Sequence, residues 1–177
     1  MQNEISPEQR NAIESFPLLA REFCAIVNSC EGPPLSEFLT AVASVLGKLY
    51  GVALVLPITE STTDDAPSIE RRLEEHIRRY KHLCQRLELK LGKSNAYWTV
   101  FDPPDRNSLA EETLSDDIAD IYLDLKNAIA LQLSEIGPDD LVWQWRFDFR
   151  NHWGRHAVSA LTALHHAIAW DYDPAED

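Results

Sequence analysis

The sequence predicts an all-α fold: a single helical domain spanning residues 1–177, with about five main helices around a central apolar helix. Three observations predict it. Apolar residues recur at helical spacing over long stretches. Gly32-Pro33-Pro34, Asp102-Pro103-Pro104 and Gly137-Pro138 punctuate those stretches as breaks. A chain of 177 residues suits one domain with a core of its own.

The first helix opens at Ser6-Pro7-Glu8-Gln9, where Ser6 can cap, Pro7 suits the first helical position and Gln9 can complete a capping box. It runs to Cys30, and Pro17 inside it predicts a kink or two short helices. The second helix covers about Leu35 to Leu56. Within it, Phe38 to Ile58 is long enough to cross a membrane. Lys48 at its centre, Gly47 and Gly51 beside it and Pro57 at its end favour a buried central helix instead. The third helix carries Ile69, Leu73, Ile77, Tyr80, Cys84, Leu87 and Leu91 on one face, and Gly92 is its stop. Asn95 to Ser108 is an irregular connection in which Tyr-Trp-Thr-Val-Phe is briefly extended. The fourth helix contains Asp116 to Lys126 and runs to about Glu135. The last begins at Asp139 or Asp140 and reaches about Trp170. Its first part conflicts with itself. Leu141, Trp143, Trp145, Phe147 and Phe149 alternate as in a strand, yet Phe149, Trp153, Ala157, Ala160, Leu164 and Ile168 make an unbroken helical stripe. The helix start at Asp139-Asp140 decides for one long helix.

Composition narrows the partners. A net charge of −13 disfavours nucleic acid and suits a protein partner with a basic surface. The three cysteines, with no Cys-x-x-Cys, predict reduced buried thiols. The N-terminal residues do not read as a signal peptide, and no membrane span is predicted, so the expected compartment is the cytoplasm. No nucleophile elbow or phosphate-binding glycine loop occurs. No cofactor is predicted.

Three constellations remain. His152-x-x-x-His156 has the spacing of two zinc ligands, but Trp153 stands where a zincin needs its glutamate. The plainer reading is that both histidines flank the core stripe and hydrogen-bond to carboxylates or backbone, with no metal. Asp116, Asp117, Asp120 and Asp124 form an acidic helix face that needs positive charge opposite it. Residues 68–93 hold eight Lys/Arg against four Glu, so helix–helix ion pairing is the simplest answer, with Arg146, Arg150 and Arg155 as further partners. Third, Trp143, Trp145, Phe147, Phe149 and Trp153 crowd into eleven residues, more than one helix face buries. Trp153 should be the most buried residue of its stretch, and mid-helix Gly154 should admit a neighbouring helix. Asp116, Asp117, Asp120, Asp124, Arg146, Arg150, His152, Trp153 and His156 are thus the candidate groove, with no catalytic residue assigned.

Phe-Asp-Pro at 101–103, L-S-D-D-I-A-D-I-Y-L-D-L-K at 114–126, W-Q-W-R-F-D-F-R-N-H-W-G at 143–154 and A-V-S-A-L-T-A-L at 157–164 resemble a bacterial family, domain of unknown function 5063. The resemblance covers the C-terminal half and implies a small stand-alone bacterial cytoplasmic protein. It implies no reaction and no common metal. The expected function is a non-enzymatic protein-interaction module. The alternative is a divalent-metal-dependent hydrolase of the all-α pyrophosphohydrolase kind using Asp117, Asp120 and Asp124, with His152 and His156 as further candidates.

Overall fold

Ser6 starts the first helix as a full capping box: its hydroxyl accepts from the Gln9 N–H, and the Gln9 side chain accepts from the Ser6 N–H. The computed structural model describes residues 4–62, 73–100, 104–105 and 107–170. α1 (Pro7–Asn28) is one continuous helix, not two. Pro17 removes a backbone donor, but it is buried in the row that contains Phe16, Ala20 and Phe23, so packing holds the turn. α2 (Leu35–Leu54) buries Phe38, Leu39, Val42, Val45, Leu46, Leu49 and Ala53. Thr40, Ser44, Gly47, Lys48 and Gly51 face solvent, so α2 is amphipathic and not enclosed. By length and composition alone it could cross a membrane. Here its apolar face packs on α1 and on the C-terminal helix α6 (Gly154–Trp170).

α3 (Leu73–Leu91) buries Leu83, Leu87 and Leu91, and half-buries Tyr80 and Cys84, while Ile77 is exposed. Ile69 lies outside the described residues. Gly92, at φ 52°, ends the helix in the left-handed region that glycine tolerates. Two antiparallel strands follow, β1 (Ala96–Val100) and β2 (Leu109–Thr113), with Trp98 opposite Glu111 and Val100 opposite Leu109. The expected extended stretch is therefore half of a hairpin. Its partner, Leu-Ala-Glu-Glu-Thr, gives a weak signal because Ala and Glu are poor strand formers.

α4 (Leu114–Gln132) is capped by Thr113, whose hydroxyl accepts from the Asp116 N–H. It packs on α1, α3, α6 and the helix that precedes α6, and is the helix most surrounded by others. That central place was expected for α2; α4 takes it because Ile118, Ala119, Ile121, Leu125 and Ala128 give it apolar contact on more than one side.

The C-terminal segment resolves the strand–helix conflict. α5 (Pro138–Asp148) runs through a π-helical turn at Phe149–Trp153 into α6 (Gly154–Trp170), without leaving right-handed helical backbone at the junctions. Trp145, Phe149 and Trp153 enter the core, where Phe16 stands 4.8 Å from the Trp145 ring and 6.3 Å from the Trp153 ring. Trp143 and Phe147 stack at 5.0 Å on another side, with Phe147 exposed. Gly154 does not admit a neighbouring helix. A Cβ there would lie 2.4 Å from the Phe149 carbonyl oxygen and 2.9 Å from its ring. The Gly154 N–H reaches that carbonyl five residues back, which is the π pattern itself. Cys24, Cys30 and Cys84 are free thiols, and burial raises Cys24 to about 12.

Candidate metal centre

Acidic residues gather at the start of α4 for a local reason. The first helical turns leave backbone N–H groups unpaired and carry the positive end of the helix dipole, which favours Asp116 and Asp117 there. Spacings of three and four then carry Asp117, Asp120 and Asp124 along one face. That face meets the π turn and the first turns of α6, which run antiparallel to it.

The contacts form a ladder. His156 Nδ1 lies 2.8 Å from Asp117 Oδ1, and His152 Nδ1 lies 2.7 Å from Asp124 Oδ2. Between these rungs, His156 Nε2 stands 3.7 Å from Asp120 Oδ2. The two imidazoles are 5.0 Å apart and edge to face. Asp117 is buried, and its second oxygen accepts a hydrogen bond from the Tyr97 hydroxyl, delivered by β1. The Tyr80 hydroxyl, from α3, donates to Asp116. Neither tyrosine was among the sequence candidates; each reaches its aspartate across 20 or more residues, where no local pattern reports it.

The electrostatics follow the geometry. The hydrogen bond to Asp117 raises the His156 pKa above the usual imidazole value; burial opposes this, the charges of Asp117 and Asp120 add to it, and Arg155 opposes it. Burial holds the Asp120 carboxyl above the usual carboxylate range, with His156 acting against that shift and Asp116 with it. Tyr97 and Tyr80 are raised first by burial and then by donating to a carboxylate.

Among the expected groove residues, Asp116, Asp117, Asp120, Asp124, His152 and His156 come together. Trp153 sits in the core behind them. Arg146 is elsewhere, donating to the Leu56 carbonyl at 3.2 Å. Arg150 is exposed and forms no ion pair among the described residues. The basic α3 does not answer the acidic face with Arg86 or Lys90 either. Arg86 pairs with Glu31 at 2.8 Å, and Lys90 donates to the Pro33 carbonyl, both at the α1–α2 junction. Histidine and tyrosine stand where arginine was expected, because the π turn brings His152 and His156 to the α4 face.

One ligand atom from each of Asp120, His152 and His156 lies within 4.8 Å of the others. A tetrahedral ion with bonds near 2.1 Å holds its ligands roughly 3.4 Å apart. The cluster therefore closes on an ion by side-chain shifts of about 1 Å or less. Each histidine already gives Nδ1 to a carboxylate, the arrangement that fixes ring orientation and leaves Nε2 as the ligand.

Residues 8–169 match the family model of a domain of unknown function, DUF5063. The chain belongs to that family. The fold is similar to that of the BF1032 protein of Bacteroides fragilis, a structural-genomics crystal structure, at 26% identity and a TM-score of 0.74, covering 94% of this chain and 96% of that one. No curated protein matches the chain. The family match extends over both halves of the chain, so α1 and α2 belong to the same unit as the motifs at 114–126 and 143–164.

Proposed function

We propose that this DUF5063 chain binds a divalent transition-metal ion through Asp120, His152 and His156. One observation carries the reading: both histidines are locked at Nδ1 by Asp124 and Asp117, so the ring nitrogen left to each is Nε2, and that of His156 already faces Asp120. Two imidazoles and one carboxylate suit Zn²⁺, Fe²⁺ or Ni²⁺ better than Mg²⁺, which takes oxygen ligands and keeps several waters. This shifts the hydrolase alternative. Asp117 is not a ligand, because Tyr97 and His156 occupy its oxygens; its role is to aim His156. Three protein ligands leave a fourth position, and His152 is half exposed there, so water or substrate has access. Bound in this way, an ion is a Lewis acid that lowers the pKa of coordinated water, which supports a hydrolytic reaction class.

Titration calorimetry and thermal melts with Zn²⁺ and Co²⁺ test it. At a hundred times Kd, the ion should add about 2.7 kcal/mol of stability. Asp120→Asn, His152→Ala and His156→Ala should lose the effect, and Arg150→Ala should keep it. Stability unmoved by Zn²⁺, Co²⁺, Ni²⁺ and Mn²⁺ would remove the proposal and leave the ladder as an ion-pair network.

A further inference from the structure

The two faces of the β1–β2 hairpin do different things. Tyr97 and Glu112 share the inner face, where Tyr97 reaches Asp117. The outer face presents Trp98, Val100 and Leu109, which are 65%, 52% and 61% exposed. This is a two-stranded sheet, so neither outer edge is paired among the described residues. Free edges and an apolar outer face are what a sheet offers to an added strand. Charge selects the strand. Glu111 is exposed and stands directly across from Trp98, so an indole face and a carboxylate lie side by side. That pairing suits a lysine or arginine side chain, which stacks its cation on the ring and donates to the carboxylate. A second copy of this chain would bring another net charge of −13 and another Glu111 to the same place.

We infer that the outer face of the hairpin docks an extended basic segment of another polypeptide, with Trp98 and Glu111 gripping a Lys or Arg side chain and Val100 and Leu109 taking its apolar neighbours. The inference is independent of the metal centre, because Trp98 and Glu111 point away from Tyr97 and the histidines.

The test uses the full chain and two labelled ten-residue peptides with Ser at every second position, the residues between alternating Lys with Val in one and Glu with Val in the other so that both kinds share one face, followed by fluorescence anisotropy. The Lys-Val peptide should bind and the Glu-Val peptide should not. Trp98→Ala and Glu111→Lys should each weaken binding by about tenfold. Glu135→Lys, the same charge change beyond the far end of α4, should leave it within about twofold. Equal losses from Glu111→Lys and Glu135→Lys would reduce the effect to bulk charge and overturn the inference. So would self-association of the chain that Trp98→Ala abolishes, since a second copy would then be the occupant.

Discussion

Asp117–His156 and Asp124–His152 are the same pair built twice, at 2.8 and 2.7 Å, on the same two helices. They differ in burial. The side chains of the first are 2% and 13% exposed, and those of the second 15% and 50%. Distance alone would rank them equal. Solvent separates them, since an ion pair open to water is screened and a buried one is not. The buried pair also has a third member, Tyr97, so Asp117 is satisfied at both oxygens. The outer pair leaves His152 half exposed. The inner pair is therefore the anchor of the ladder, and the outer pair is its solvent-facing arm in the proposed metal centre.

The largest effect should come from removing the anchor. Asp117→Ala removes a buried carboxylate from a partly buried imidazole and a partly buried phenol and should cost about 3 kcal/mol in urea unfolding. Asp124→Ala should cost at most about 1 kcal/mol. Equal costs would break the contrast. The contact with Asp117 also gives His156 a structural role. Its loss leaves the Asp117 carboxylate with Tyr97 as its side-chain partner.

Gly154→Ala should come next, at roughly 1–3 kcal/mol, because its methyl would collide with the Phe149 carbonyl and unseat the π turn. The contrast sharpens if Zn²⁺ affinity falls with it. His152 lies in the π turn and His156 after it, so their relation to α4 depends on that turn. Unchanged stability and unchanged Zn²⁺ binding would show that the turn does not set the ladder.

A smaller effect should appear with pH. The folded pKa of His156 is raised, so its contribution to stability is complete below the ordinary imidazole value and is lost as pH rises through the raised one. Asp120, also raised, adds in the same direction from lower pH. Without metal, the stability difference between the wild type and His156→Ala should therefore shrink as pH climbs past the ordinary imidazole range. With Zn²⁺ present the trend should reverse, since the ion competes with the proton for Nε2. A difference that stays flat with pH would mean that His156 is not charged by its rung.

Much of the fold was legible along the chain. The Ser6–Gln9 box, the stop at Gly92, the stripe from Phe149 to Leu164 and the burial of Trp153 all depend on residues within a few turns of one another. So does the division of the aromatic cluster, with Trp143 and Phe147 on one side and Trp145, Phe149 and Trp153 on another. β2 was not legible, because its residues are poor strand formers held by pairing with β1. The π turn was not legible either. Its one clue is Gly154, and a glycine in a helix signals close approach without saying what approaches.

The sequence by itself determined an all-α domain, its acidic face on α4 and two histidines four residues apart. Those properties are set by periodicity, capping and charge within single segments. Tertiary structure alone decided what the acidic face meets. An aspartate attracts an arginine, a histidine, a tyrosine hydroxyl or a metal ion, and its neighbours in sequence do not choose among them. The choice was made by the antiparallel packing of α4 on α6, by the extra residue of the π turn and by a hairpin that carries Tyr97 to Asp117, because short-range electrostatics act only on the groups that packing has already brought within about 4 Å.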